Sequence, residues 1–364
     1  MTLTDTRPST LRRLQPWIIG VGLVVVFAIL PLLNISIPGV LPGPTYTPGT
    51  LQLLALAMIF SSLALSYHVI FGVAGLLSFG HALYFAIGAY GLGLVMRHTD
   101  LPLLAGMGLV LVATLVIAYL LGALSLRVSG IAFAMVTLAF AQAGSVWVRR
   151  TPEVTGGEEG LSLATENVPD FLIGVLNTRN MYWIALALVV VVFLFVTWFE
   201  HSRAGRVAVA VRENELRVSV LGLKPFSVKH IAVVLASTLA AVVGMVYLLL
   251  QSGANPGNAS TDFTLTILVI VVLGGVGSRW GAVVGGIVYT LLDQRLTALA
   301  SSDAIDALPD VLRIPLSEPL FILGTLFILV VLFLPGGLAG IARRFRRTSR
   351  PTRVGLESRD EAAL

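Results

Sequence analysis

The sequence predicts an all-α protein that crosses a membrane about ten times, and composition together with the spacing of its apolar runs supports this fold class. Only 12% of the 364 residues are charged, 56% are hydrophobic, and the mean hydropathy is +0.92. Apolar runs near the length that spans a bilayer recur along most of the chain. A soluble domain does not have this composition, so length here counts spans rather than globular domains.

The predicted spans follow one another in chain order. The first, Trp17 to Leu33, follows a polar, basic N-terminal tail at residues 1–16. We expect this span to be retained, because an uncharged loop rich in proline and glycine follows it instead of an A-x-A-type cleavage site. The other runs lie at about 51–70, 76–95, 103–124, 129–147, 181–199, 230–250, 264–278, 281–299 and 319–334.

The segment VVLGGVGSRWGAVVGG (271–286) can be counted as one interrupted span or as parts of two. With two, there are ten spans, both termini are cytoplasmic, and the strongly basic stretches all lie inside, as the positive-inside rule requires. With one, the arginine-rich tail at 341–364, which we expect to be disordered, faces outward. We therefore predict ten spans, with loop 148–180 and the acidic segment 300–318 outside. The predicted inside stretches are the N-terminus, Arg127, residues 200–229, Arg279 and the tail.

Residues 200–229 form a polar segment with six basic and three acidic side chains between two apolar runs. The stretch Val207 to Leu221 contains no Gly or Pro, and Gly222 and Pro225 follow it, which predicts one short amphipathic helix. Such a helix lies either on the lipid surface or against a partner protein, and these residues alone leave the two alternatives equal. The predicted apolar face comprises Val207, Val211, Leu216 and Val220.

Motifs for catalysis are scarce. The sequence contains no P-loop, no H-E-x-x-H, no G-x-S-x-G and no cysteine, so we predict neither an enzyme nor a metal or cofactor site. If ATP is used, another chain must bind it. The net charge of +5 lies beside apolar spans and does not indicate nucleic acid. No acidic residue lies in the middle of a predicted span, which argues against a proton-coupled transporter.

Glycines and one buried histidine mark a tentative solute path. Interrupted helices are where transporters build solute sites, but glycines also allow close helix packing, and for each single glycine we favour packing. His81 either lines the path or forms a helix-to-helix hydrogen bond near it, or it is a packed histidine satisfied by a neighbouring carbonyl. We favour the packed histidine. His68 lies near a span end, where we expect it to be interfacial. The tentative path residues are Gly75, Ser78, His81, Gly274, Gly275 and Gly277.

Six stretches in order resemble the permease subunits of branched-chain amino acid ABC importers, in particular the longer LivM-type subunits. The resemblance covers about residues 50–340. The stretches are GVAGLLSFGHALYFAIGAY (72–90), RVSGIAFAMVTLAFAQ (127–142), TGGEEGL (155–161), SRAGRVAVAVRENELRVSVLGLKPFSVK (202–229), GGVGSRWGAVVGG (274–286) and LFLPGGLAG (332–340).

This resemblance implies a permease domain at 17–340 with the all-helical fold of type II ABC importers, in a bacterial cytoplasmic membrane. It implies import of branched-chain or related hydrophobic amino acids with a homologous LivH-type permease, two ATP-binding cassette ATPases and an external solute-binding protein as partners. It also implies that 200–229 is the ATPase-coupling loop, which favours the partner alternative over lipid. The implied ATPase contacts are Arg206, Arg212, Glu213, Glu215 and Arg217.

Two alternatives to this function stay open. The same family also carries urea and short amides, and a permease sequence separates these substrates poorly. A stand-alone secondary transporter, with the basic loop bound to lipid, is the alternative from a different class. The sequence departs from the family pattern at Glu158 and Glu159, where one small polar residue is usual. These acids either line the docking face for the binding protein or are simply solvated.

Overall fold

The structure is a computed structural model that describes residues 10–37, 41–174, 177–300, 318–333 and 336–340. The predicted tail 341–364 and nearly all of segment 300–318 lie outside the described residues. The helices are α1 (Thr10–Ile29), α2 (Pro48–His68), α3 (His81–His98), α4 (Leu103–Ser125), α5 (Ile131–Arg150), α6 (Pro152–Thr155), α7 (Thr178–His201), α8 (Arg203–Glu213), α9 (Glu215–Val220), α10 (Pro225–Gln251), α11 (Thr261–Gly274), α12 (Arg279–Ala300) and α13 (Pro319–Phe333).

A helix corresponds to each of the predicted spans, and the all-α fold class is confirmed. Five described helices, α2, α4, α5, α7 and α10, are long and apolar enough to cross a membrane. The pair α11 and α12 passes the same test only as one broken span, bent by 118° at a short break. The number of spans, ten in the prediction, therefore stays a prediction.

Helix α2 forms the centre of the bundle and continues into a π-helical turn at Val69–Val73. It packs against α7, α10, α11 and α12, and 89% of its apolar membrane-spanning stretch is buried. Helix α4 lies at the periphery, and only 28% of its apolar membrane-spanning stretch is buried. Its exposed side chains, such as Leu104, Val112 and Leu120, are large and apolar, as expected for a surface that faces lipid.

A two-stranded antiparallel ribbon ties the loop after α5 to the end of α10. Strand β1 (Leu161–Ser162) pairs with β2 (Gly253–Ala254). The side chain of Leu161 is fully buried beside Gly93 of α3. Because α10 is 27 residues long and begins soon after α9, the bundle has an α8–α9 end and, opposite to it, a β1–β2 end.

Candidate functional site

The basic segment forms two helices, so the prediction of one helix over Val207–Leu221 is wrong. Asn214 breaks it, with extended backbone angles of φ −159° and ψ 99°. Its side-chain oxygen accepts a hydrogen bond from the backbone N–H of Arg217 at 2.8 Å, which caps α9. Ser202 caps α8 in the same way through the N–H of Gly205. Asn and Ser favour such cap positions because they satisfy N–H groups that the first helical turn leaves unpaired.

The predicted apolar face is also wrong in α9. Val211 in α8 is buried, but in α9 the buried residue is Val218, so the four residues do not share one face. Leu216 and Val220 are instead 76% and 81% exposed. The break at Asn214 changes the helical phase, which turns these two side chains away from the bundle. Together with Leu221, which is also exposed, they form an apolar surface that we call the α9 patch.

The five predicted coupling residues fall into two groups. Arg206, Glu213 and Arg217 are exposed, and no side-chain partner is found for them among the described residues. Glu215 accepts a hydrogen bond from Lys229 Nζ at 2.6 Å and so ties α9 to α10. Arg212 is exposed as well, but its guanidinium donates to the carbonyl oxygen of Gly72.

Arg212 brings the coupling segment against two of the predicted path glycines. Its aliphatic stem lies where a Cβ of Gly75 would be, and Gly75 has a φ of +71°. A Cβ at Gly277, with φ +81°, would lie 3.8 Å from Arg212 Nη1. These glycines belong to the two helix breaks of the bundle, residues 74–80 between the π-helical turn and α3 and residues 275–278 between α11 and α12. Arg212 therefore lies between the two breaks.

Gly274 and Gly275 each pack closely against the backbone of another segment. A Cβ at Gly274 would overlap the carbonyl oxygen of Gly281 in α12, and one at Gly275 would overlap that of Gly336. Gly275 also has a φ of +112°, which side-chain-bearing residues rarely adopt. Both glycines thus lie where another segment's backbone approaches closely, and their part in a solute path stays a prediction.

Ser78 and His81 lie beside a cavity of only about 10 Å³. The hydroxyl of Ser66 donates to Leu63 O at 2.7 Å and accepts from His81 Nε2 at 2.8 Å. Tyr67 donates its hydroxyl to the carbonyl oxygen of Ser78 at 3.0 Å. A cavity of this size holds at most a single water, so in this conformation it has no room for an amino acid. His81 is thus packed, but its partner is a hydroxyl on α2 and not a neighbouring carbonyl, and a role near the solute path stays open.

A charged cluster that the sequence did not predict lies at the α8–α9 end. Glu200, near the end of α7, lies 2.8 Å from His68 Nε2 of α2 and 2.6 Å from Arg279 Nη1 of α12. His68 lies at the end of α2, as expected, and is only 1% exposed, so it packs inside the bundle; its interfacial position stays a prediction. The sequence did show three ionisable residues at the ends of apolar runs. It could not show that they form pairs, because Glu200 is 132 residues from His68 and 79 residues from Arg279.

At the β1–β2 end, Glu158 and Glu159 line an open cleft of about 740 Å³. Glu158 is 71% exposed and lies 3.6 Å from Arg149, an ion pair of little energetic weight at such exposure. Within the described ranges no group of three His, Cys, Asp or Glu residues could hold a metal ion. The other lining residues are Arg97, Pro152, Gly156, Gly160, Ser162, Leu163 and Ala164.

The amino-acid sequence matches a known protein family and several of its members. The profile of the family described as "Branched-chain amino acid transport system / permease component" matches residues 49–334. The high-affinity branched-chain amino acid transport system permease protein LivM of Escherichia coli (strain K12) is 27% identical over 265 residues, which cover 67% of this chain and 62% of that protein. The chain thus spans less than two thirds of the length of this relative.

Two further relatives match over more of their own length. The probable branched-chain amino acid transport permease protein LivM of Methanocaldococcus jannaschii is 26% identical over 314 residues, 76% of this chain and 88% of that protein. The permease protein LivH of the same E. coli strain is 22% identical over 302 residues, 77% of this chain and 91% of that protein.

Proposed function

We propose that this chain is the LivM-type permease subunit of an ABC importer. The chain belongs to the family of permease components of branched-chain amino acid transport systems, which supports this role. In this proposal it moves branched-chain or related hydrophobic amino acids into the cytoplasm. Its partners are a LivH-type permease, two ATPases and an external solute-binding protein. The observation that carries the proposal is the α9 patch, which exposes large apolar side chains beside charged ones at one end of the bundle.

The α9 patch has the chemistry of a protein contact. Leu216 and Val220 expose most of their surface and lie on a helix whose buried residue is Val218. An exposed apolar patch on a segment that also carries exposed charges, here Arg206, Glu213 and Arg217, is typical of interaction surfaces. We infer that an ATPase covers this patch and that Arg206, Glu213 and Arg217 make the polar contacts at its rim. Arg212 and Glu215 instead hold the two helices in place.

The orientation follows from the charges at the α8–α9 end. Arg127 and Lys229 line one cleft of about 150 Å³, and Arg279 lies at the same end through Glu200. Basic residues beside spans favour the cytoplasmic side. We therefore place the α8–α9 end in the cytoplasm and the β1–β2 end outside. The cleft beside Glu158 and Glu159 then faces outward, and we propose that the solute-binding protein docks there.

Co-purification from membranes of the source organism tests the ATPase contact. We expect ATPase subunits to co-purify with the wild-type chain and to be reduced at least about tenfold with Leu216→Asn/Val220→Asn, because the apolar centre of an interface contributes most of its binding free energy. Val128→Asn, at another partly exposed apolar residue of the α8–α9 end, is the matched control and should retain the ATPases. Arg212 is a poor choice for charge reversal because its bond to Gly72 would be lost as well.

The outcomes separate the alternatives. Absence of any ATPase from the wild-type preparation would favour a stand-alone transporter whose α8 and α9 bind lipid. Equal recovery with the double variant and the control would contradict the docking role of the α9 patch. Uptake of labelled leucine and labelled urea by vesicles that contain the assembled complex then distinguishes an amino acid importer from a urea or short-amide importer.

A further inference from the structure

We propose that Glu200 is the positioning residue that transmits movement of α8 and α9 to the two helix breaks of the bundle. This inference rests on the proposed function, since it assumes that an ATPase moves α8 and α9. It assigns to one carboxylate a role in coupling ATP hydrolysis to solute movement that is separate from ATPase docking.

One carboxylate joins three helices. Oε1 of Glu200 accepts from His68 Nε2 at 2.8 Å, and Oε2 accepts from Arg279 Nη1 at 2.6 Å. An ionised carboxylate only accepts hydrogen bonds, so His68 must carry its proton on Nε2. Each oxygen thus contacts a different helix, α2 through His68 and α12 through Arg279. The side chains of Glu200 and Arg279 are 23% and 26% exposed, so water screens their attraction only in part.

Both contacts are made beside a helix break. Arg279 is the first residue of α12 and directly follows the break at 275–278. His68 is the last α-helical residue before the π-helical turn, and its ring lies where a Cβ of Gly72 would be. The carbonyl of Gly72 in turn accepts from Arg212 of α8. Glu200 and Arg212 therefore hold the start of the first break from two sides.

The N-terminal end of α8 packs closely against the C-terminal end of α7. Ser202 donates its hydroxyl to Phe199 O at 2.6 Å while it caps α8. A Cβ at Gly205 would overlap the carbonyl oxygen of Phe199, so α8 contacts α7 backbone to backbone. Close contacts of this kind transmit displacement because packed backbone does not compress. A force on α8 consequently moves the end of α7, and with it Glu200.

This arrangement separates coupling from docking. Glu200 lies behind α8, whereas the α9 patch faces away from the bundle. Loss of the carboxylate should leave the docking surface intact and disconnect it from the breaks. Hydrolysis would then continue with little solute transport. A residue needed only for the folded structure would not produce this combination.

The test compares Glu200→Ala with wild type in the complete complex, reconstituted in vesicles with its partner permease, ATPases and binding protein. The readout is the number of labelled leucine molecules taken up per ATP hydrolysed. We expect this ratio to fall about tenfold, the effect of losing charge-assisted hydrogen bonds, while ATPases still co-purify and ATP hydrolysis continues. The unfolding temperature should fall by several degrees, because the buried His68 Nε2 also loses its partner. Glu166→Ala, at an exposed acid far from α8, is the matched control.

An unchanged ratio in Glu200→Ala would overturn the inference and leave the importer proposal standing. A parallel loss of uptake, hydrolysis and thermal stability would also overturn it, because that pattern indicates a purely structural role. Absence of ATPases from the wild-type preparation would overturn both proposals. If Glu200→Ala does not assemble, Glu200→Gln, which keeps the side-chain length, is judged by the same ratio. The charge exchange Glu200→Arg/Arg279→Glu, which preserves one pair, should restore part of the ratio.

Discussion

Gly244 of α10 packs directly against the backbone carbonyl of Phe85 in α3, with no room for a side chain between them. One turn away, Gly88 of α3 packs in the same way against the carbonyl of Ala241. The two helices therefore cross backbone to backbone, as small residues permit in membrane proteins. Gly88 lies in the glycine-rich stretch 72–90, and its partner in the bundle is α10.

Gly244→Ala should destabilise the protein by about 1–3 kcal/mol, because the new methyl group must push α3 away from α10. The measurement is the unfolding temperature in detergent. The matched control is Gly108→Ala in α4, a helical glycine with nothing within 4 Å of its missing Cβ. This control should be neutral or slightly stabilising, since alanine favours the helix. Similar shifts for both variants would show that the crossing tolerates separation.

Gly160→Ala should disrupt the ribbon between β1 and β2. Gly160 has φ 79° and ψ 179°, a conformation open almost only to glycine, and its Cβ would overlap the carbonyl oxygen of Ala254. Gly174→Ala is the control, because Gly174 also has a positive φ, +88°, but open space around it. We expect proteolysis of loop 151–165 to increase several-fold more in the first variant than in the control. Equal cleavage would indicate backbone strain alone and no steric overlap.

Ser66→Ala should lower the stability of the protein by about 1–3 kcal/mol, because it leaves the buried Nε2 of His81 without its partner. Ser62→Ala on the same helix is the control. Its hydroxyl is equally buried but bonds only to Met58 O of its own helix, at 2.8 Å. The unfolding temperatures of the two variants should differ by several degrees. If Ser66→Ala instead leaves this temperature unchanged and alters the KM for solute, His81 belongs to the translocation path.

Lys229→Met should loosen α9 without unfolding the bundle. The bond from Lys229 Nζ to Glu215 is partly exposed, so its loss costs at most about 1 kcal/mol of global stability. Local opening of α9 should nevertheless increase, because a helix of six residues is not stable by itself. We expect several-fold faster chymotrypsin cleavage between residues 214 and 226, compared with Lys224→Met as control. Identical rates in both variants would mean that Val218 alone anchors α9.

The hydrophobic periodicity of single segments was enough to predict the helices. Apolar runs specify where a helix must be, since the membrane leaves the backbone no other way to satisfy its hydrogen bonds. The break beside Gly277 was also identified from sequence, because glycines interrupt the apolar segment 271–286. The break at 74–80 was not, since the predicted span 76–95 runs through it, whereas α3 begins at His81. Periodicity failed at Asn214, where a side-chain cap ends one helix and begins the next within an unbroken series of helix-forming residues.

The contacts between distant segments could not be predicted in this way. Nothing in the local sequence of Glu200 indicates that its two oxygens face His68 and Arg279, since both pairings depend on how α2, α7 and α12 assemble. The same holds for Arg212, which looked like a surface charge and proved to be bonded to Gly72. In an apolar chain, a charged residue at a span end is therefore as informative about its neighbours inside the protein as about the membrane surface.

Helix α10 runs without a break from Pro225, next to α9, to Gln251, next to β2. At 1.5 Å per residue its 27 residues measure about 40 Å, the full thickness of a bilayer with its headgroups. Because an α-helix hardly shortens along its axis, α10 keeps its two ends at a fixed distance. If Pro225 were displaced along the helix axis, Gly253 would be displaced with it, and the ribbon links Gly253 to Ser162 beside the cleft of Glu158. One rigid element thus connects the α8–α9 end of the bundle with the β1–β2 end.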